Sequence, residues 1–106
     1  MTAADETEYL AECFLPGVQE ADLQALDARA DASATALSAA GARVRYLGSL
    51  LIREDEVVLC LFAGSRDSVH EAARLGGVPF ERILETASSP WAADAVASDD
   101  LKGLDR

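Results

Sequence analysis

The stretch from Arg43 to Ala63, RVRYLGSLLIREDEVVLCLFA, constrains this chain more than any other. Two apolar runs flank the polar segment Arg53-Glu54-Asp55-Glu56, and runs of this length bounded by a turn read as a β-hairpin. A symmetric turn centred on Glu54-Asp55 pairs Ile52 with Val57, Leu51 with Val58, Leu50 with Leu59 and Ser49 with Cys60. Continued outward, the same register pairs Gly48 with Leu61, Leu47 with Phe62 and Tyr46 with Ala63. Opposed residues share a face and neighbours along a strand alternate. One face then carries Tyr46, Gly48, Leu50, Ile52, Val57, Leu59, Leu61 and Ala63. The other carries Arg45, Leu47, Ser49, Leu51, Val58, Cys60 and Phe62. The first is expected to seat helices. The second, apolar but tinged by a hydroxyl, a thiol and a guanidinium, is expected to be the open face. Neither shows the clean alternation of a sheet with one face in water, so both should be covered.

The flanking segments supply the other elements. Residues 1–8 have almost no apolar content and read as a frayed start. Tyr9 to Leu15 alternates as a strand, with small Ala11 and Cys13 toward the helices and Leu10, Glu12 and Phe14 on the other side. Pro16-Gly17 ends it. From about Glu20 to Ala40 the period turns helical: Leu23, Leu26, Ala30, Ala34 and Leu37 form one stripe. Glu20 and Asp22 suit the first turn of that helix, and Gly41 suits its C-terminal cap. A shorter helix runs from Ser65 or Asp67 to Leu75, with Val69, Ala72 and Ala73 inward and Gly76-Gly77 and Pro79 closing it. Residues 82–87 form a fourth strand. Residues 88–106 are acidic, with Ser89-Pro90 able to start a short helix and Trp91 expected to dock on a protein surface.

The order β-α-β-β-α-β predicts an α+β, ferredoxin-like domain over residues 9–87: a four-stranded antiparallel sheet with two helices on one face. The uncovered apolar face predicts a homodimer, two sheets packed face to face as a dimeric α+β barrel around an enclosed space.

Charge narrows the partners. The net charge of −10, with Lys102 the only lysine, disfavours phosphate backbones and anionic lipid, so neither nucleic acid nor a membrane is expected. No apolar run is long enough to span a bilayer, and the acidic N-terminus lacks the features of a signal peptide, so a cytoplasmic location is the default. Cys13 and Cys60 match no metal-ligand spacing and, in this register, point to opposite sides of the sheet, which argues against a disulfide.

On the expected open face Glu12, Ser49 and Cys60 converge, rimmed by Arg45, Leu47 and Phe62. A partly buried glutamate there would act as an acid or base, with Ser49 and Arg45 orienting a substrate. The plainer reading is a dimer seam in which Glu12 pairs with Arg45 or Arg53 and Cys60 simply packs. His70, the one histidine, sits on the second helix, away from Cys60, and Arg74 one turn on would repel a cation beside it. Phosphate-binding glycine loops, Ser-His-Asp triads and zinc-ligand arrays are absent.

YLAECFLPG, VRYLGSLLI and LCLFAGSRDSVHEAARLGGVPFERI together resemble a family of small bacterial proteins of unknown function described as nickel-responsive. The strand Cys60-Leu61-Phe62-Ala63 and the segment Gly77-Val78-Pro79-Phe80-Glu81-Arg82-Ile83 carry most of the likeness, and Glu12 matches an acidic position of the family's first strand. The resemblance implies a ferredoxin-like dimer and brings in nickel as a candidate cofactor, with His70 as a candidate ligand. Where the family often places a histidine in its second helix this chain has Ala72, two residues past His70, and Arg66 stands where proline is common. The resulting expectation is a small binding protein for a metal ion or small ligand. The alternatives are a cofactor-independent isomerase, cyclase or monooxygenase with its pocket on the open face, and a subunit that only stabilises a partner.

Overall fold

A computed structural model describes residues 7–87. Within them the elements run β1 (Thr7–Phe14), α1 (Glu20–Ala39), β2 (Val44–Ile52), β3 (Val57–Gly64), α2 (Arg66–Leu75) and β4 (Arg82–Glu85). The strands form one sheet in the order β2-β3-β1-β4, every neighbouring pair antiparallel, which is consistent with the ferredoxin-like arrangement. Strand β1 starts at Thr7, so Thr7 and Glu8 belong to the sheet and not to a frayed end. The short helix and the docked Trp91 expected in residues 88–106, like the frayed start at residues 1–6, lie outside the described residues.

Both helices begin and end where local chemistry dictates. Asp22 accepts a hydrogen bond from the Gln19 backbone N–H at 2.9 Å, anchoring the entry to α1. The Ser65 hydroxyl accepts from the Ser68 N–H at the start of α2. Each helix closes in a Schellman motif. In α1, Gly41 and Ala42 donate back to Ser38 and Leu37; in α2, Gly77 and Val78 donate back to Arg74 and Ala73. The glycines take positive φ there, at +101° and +69°.

The core lies between the sheet and the helices. Tyr9, Ala11, Cys13, Val58, Cys60 and Phe62 point from the two central strands onto Leu26, Ala30, Ala34, Val69, Ala72 and Ala73. Most helical members of this layer are alanines, so the helices sit close, and the sheet side mixes the aromatic Tyr9 and Phe62 with the small Ala11, Cys13 and Cys60. Gly76 shows how close: a Cβ there would lie 2.8 Å from Ser33 Oγ and 3.0 Å from the Arg29 carbonyl. Arg29 locks the helices together by donating to the carbonyls of Gly76 and Gly77.

The hairpin register holds from Ile52–Val57 back to Gly48–Leu61 and then breaks. A β-bulge at Leu47 leaves that residue unpaired, so Tyr46 meets Phe62 and Arg45 meets Ala63. The facing of the hairpin is also the reverse of the expectation. Ser49, Leu51, Val58, Cys60 and Phe62 point at the helices, joined by Val44 and Tyr46 once the bulge has restored their side. Leu50, Ile52, Val57, Leu59 and Leu61 form the open face with Leu10, Glu12 and Phe14 of β1 and Arg82 and Leu84 of β4. Leu10, Leu50, Leu59 and Leu61 face away from the helices, and Tyr9, Tyr46 and Phe62 fill the alanine-lined side.

Candidate functional site

The bulge at Leu47 places Tyr46 and Ser49, three residues apart, on the same side of β2. Both hydroxyls donate to one oxygen of Asp27 on α1: Tyr46 at 2.5 Å and Ser49 at 2.7 Å to Oδ1. Asp27 lies four residues after Leu23 and three before Ala30, on the inner edge of the helix, where an unaccompanied carboxylate would be costly to cover. The two hydroxyls are what make its position acceptable. Burial first, and then the bond to Asp27, push the Tyr46 hydroxyl far above the ordinary phenol range, so it remains a donor. Its ring packs against Phe62, 5.0 Å between centroids at 60°. Outside this cluster, Gln24, Asp27, Asp31, Tyr46, Leu47 and Gly48 line a groove of about 410 Å³ between α1 and β2.

The open face has a different character. Glu12 and Arg82 stand opposite each other on β1 and β4 and form an ion pair, Arg82 Nε to Glu12 Oε1 at 2.5 Å. The Glu12 carboxylate holds the Arg82 guanidinium above its usual pKa by that hydrogen bond. Around the pair the surface is apolar: Leu10, Phe14, Leu59 and Leu84 on the flanking positions, then Leu50 and Ile52 on β2. Leu50 keeps 59 % of its surface exposed and Phe14 52 %, the largest values among the face's apolar side chains.

The expected convergence of Glu12, Ser49 and Cys60 does not occur, because Glu12 lies on the open side while Ser49 and Cys60 lie on the helix side. Arg45 is on the open face opposite Ala63, Leu47 occupies the bulge with 40 % of its surface exposed, and Phe62 is fully buried under the helices. Glu12 pairs with Arg82, not with Arg45 or Arg53; Arg53 instead holds Glu20 at 2.7 Å. Cys13 and Cys60 share the helix side, against the expectation that they point apart, and both are free thiols. Asp27 is the participant that sequence reasoning missed. Its spacing within the Leu23, Ala30, Ala34 stripe was the available signal, since an acid on that edge requires donors from the sheet.

His70 is exposed on α2, its ring edge-on to Phe80 with 6.0 Å between centroids. The neighbouring Glu71 is taken by Arg74 through two hydrogen bonds. Among the described residues no group of three or more His, Cys, Asp or Glu side chains is arranged to hold a metal ion. Among the described residues no helix is long and apolar enough to cross a membrane. No family model, curated protein or solved structure matches the chain.

Proposed function

We propose that this chain is a small binding protein that works as a pair of identical copies joined through their open sheet faces, with Glu12 and Arg82 forming the polar part of an enclosed ligand chamber. The observation that carries the reading is the Glu12–Arg82 pair set among Leu10, Phe14, Leu50, Leu59 and Leu84 on a face that no described residue covers. A surface of this kind usually marks an interface. Its dimensions suit one: four strands and about eight residues give roughly 19 by 26 Å, so two copies laid together bury on the order of 1,000 Å², the lower bound for a specific interface.

Charge argues for a second copy as the occupant. The whole chain carries −10, yet the face balances Glu8 and Glu12 against Arg45 and Arg82. A two-fold pairing turns that balanced patch onto itself and keeps the repelling charges outside. Between two such faces a carboxylate with acceptor capacity left beside Arg82 favours a neutral or cationic organic ligand with an apolar body and one donating head.

The test has two arms. Sedimentation equilibrium should return twice the chain mass, and Leu50→Asp should return a single chain with unchanged circular dichroism. Leu50 has 59 % of its surface left to bury, so a pair loses about 2–4 kcal/mol over its two copies, a weakening of about 30- to 1,000-fold. A wild type that stays monomeric at high concentration overturns the assembly. For the chamber, benzylamine, phenol and benzoate serve as cationic, neutral and anionic probes in thermal unfolding. Stabilisation by either of the first two, lost in Glu12→Gln, is expected; equal stabilisation of Glu12→Gln, or none of the wild type, removes the ligand from the reading.

A further inference from the structure

The outer edge of β2 takes no part in the chamber on the open face, and among the described residues no strand pairs with it. Ser65 donates to the Arg43 carbonyl at 3.0 Å, which fixes the phase of the ladder between β2 and β3. Antiparallel pairing alternates residues whose backbone groups reach the neighbouring strand with residues whose groups turn away. The N–H and C=O of Arg45 therefore reach Ala63, and those of Val44 and Tyr46 turn outward from the sheet. The bulge at Leu47 ends this regular stretch, so the edge accepts a short strand and not one as long as β2 itself.

A groove runs beside that edge. Between α1 and β2 two adjoining hollows of about 480 and 410 Å³ share Asp31 and Tyr46 in their walls. Thr35 and Ser38 continue the helix side of the larger one, opposite Val44. The Asp27 carboxylate in the smaller one already accepts from Tyr46 and Ser49. Asp31 lies one turn further along α1 and is exposed, and among the described residues its carboxylate has no hydrogen bond or ion pair.

We propose that the β2 edge and this groove dock a short extended peptide segment of another protein, antiparallel to β2 and carrying a lysine or arginine. A peptide residue opposite Tyr46 exchanges both backbone hydrogen bonds with it and sets its side chain on the same, helix-facing side. A lysine there lays its methylene stem along the groove and brings its ammonium to Asp31. The residue two places on toward the peptide's C-terminus stands opposite Val44, toward Thr35 and Ser38, where a small polar side chain fits. Asp27 and Asp31, on a chain of net charge −10, select a basic partner. A second copy is the poorer occupant, because it is equally acidic and its own β2 is interrupted at Leu47 in the same place.

Titrating the isotope-labelled full chain at low salt with the end-blocked pentapeptide Thr-Val-Lys-Val-Thr, followed by amide NMR, tests the site. The expected shifts centre on Val44, Tyr46 and residues 31–38 of α1, and follow peptide rather than protein concentration. The same peptide with glutamate at its centre should bind at least about threefold more weakly, the scale of an exposed ion pair. Asp31→Asn, a surface change that leaves the core intact, should erase that preference. Methylating the backbone nitrogen of the lysine should abolish binding, whereas methylating that of the following valine, which points away from β2, should not. Equal binding of the two peptides, a preference that survives Asp31→Asn, tolerance of the methylated lysine nitrogen, or no shift at millimolar peptide would each overturn the proposal. Shifts at Val44 and Tyr46 that follow protein concentration alone would give the edge to a second copy and overturn it as well.

Discussion

Replacing Tyr46 by phenylalanine tests whether the bulge at Leu47 exists to aim a donor at Asp27. The ring keeps its place against Phe62, so no cavity forms and the change isolates the hydroxyl. A hydrogen bond to a charged acceptor is worth about 1.5–3 kcal/mol net, and at a half-buried site with a second donor in place the lower end applies, about 1.5 kcal/mol. For a domain of this size that lowers the melting temperature by about 6–12 °C. Ser49→Ala removes the other donor to the same oxygen and should cost about 1 kcal/mol. The double variant leaves that oxygen without either hydroxyl, so its loss should exceed the sum of the two by at least about 0.5 kcal/mol. Urea unfolding of the four proteins, followed by circular dichroism at one protein concentration, measures the cycle and avoids concentration-dependent shifts from self-association. A Tyr46→Phe loss below about 0.5 kcal/mol, the range of ordinary surface substitutions, would show that the bond to Asp27 contributes nothing to stability. Strict additivity would show that the two hydroxyls do not act through a shared acceptor.

Other substitutions probe the surrounding geometry. Deleting Leu47 removes the unpaired residue and leaves Tyr46 opposite Phe62 and Arg45 opposite Ala63 on their present sides, so the deletion variant should still fold with a cooperative unfolding transition. Gly64→Ala should cost about 3 kcal/mol or more in the same assay, because φ is +146° there and a Cβ would lie 2.0 Å from the Arg43 carbonyl oxygen. Arg29→Ala frees the carbonyls of Gly76 and Gly77 and should cost about 1 kcal/mol, with hydrogen exchange rising first in the last turn of α2. Faster exchange confined to α1 would mean that Arg29 does not secure the second helix.

The hairpin shows what could be read from residues alone and where reading stopped. Four polar residues between two apolar runs leave one closing register, and the pairs from Ile52–Val57 to Gly48–Leu61 follow from it. The bulge does not follow, because nothing in VRYLGSLLI separates an unpaired Leu47 from a paired one. Gly48 at φ +132° marks the place only once the backbone is seen. Because of the bulge, Tyr46 and Arg45 lie on their expected sides, helix and open, although the rest of the hairpin does not. The reversal from Gly48 onward came from assigning the bulkiest aliphatic set to the helices. Hydrophobicity was the wrong discriminator. Leu50, Leu59 and Leu61 are more apolar than Ser49, Cys60 and Val58, yet it is the second set, with Tyr9, Tyr46 and Phe62, that meets Ala30, Ala34, Ala72 and Ala73 of the helices. The strand that could have settled it was β1. Ala11 and Cys13 had to face the helices, and a pairing that sets Ala11 beside Cys60 carries Cys60 with them. Pairing with β1, not total apolar content, decides which face of this sheet is inner. By the same reasoning the leucines left outside are not a surplus of core: they have no partner within the described residues, and the surface built from them is where a second copy would have to bind.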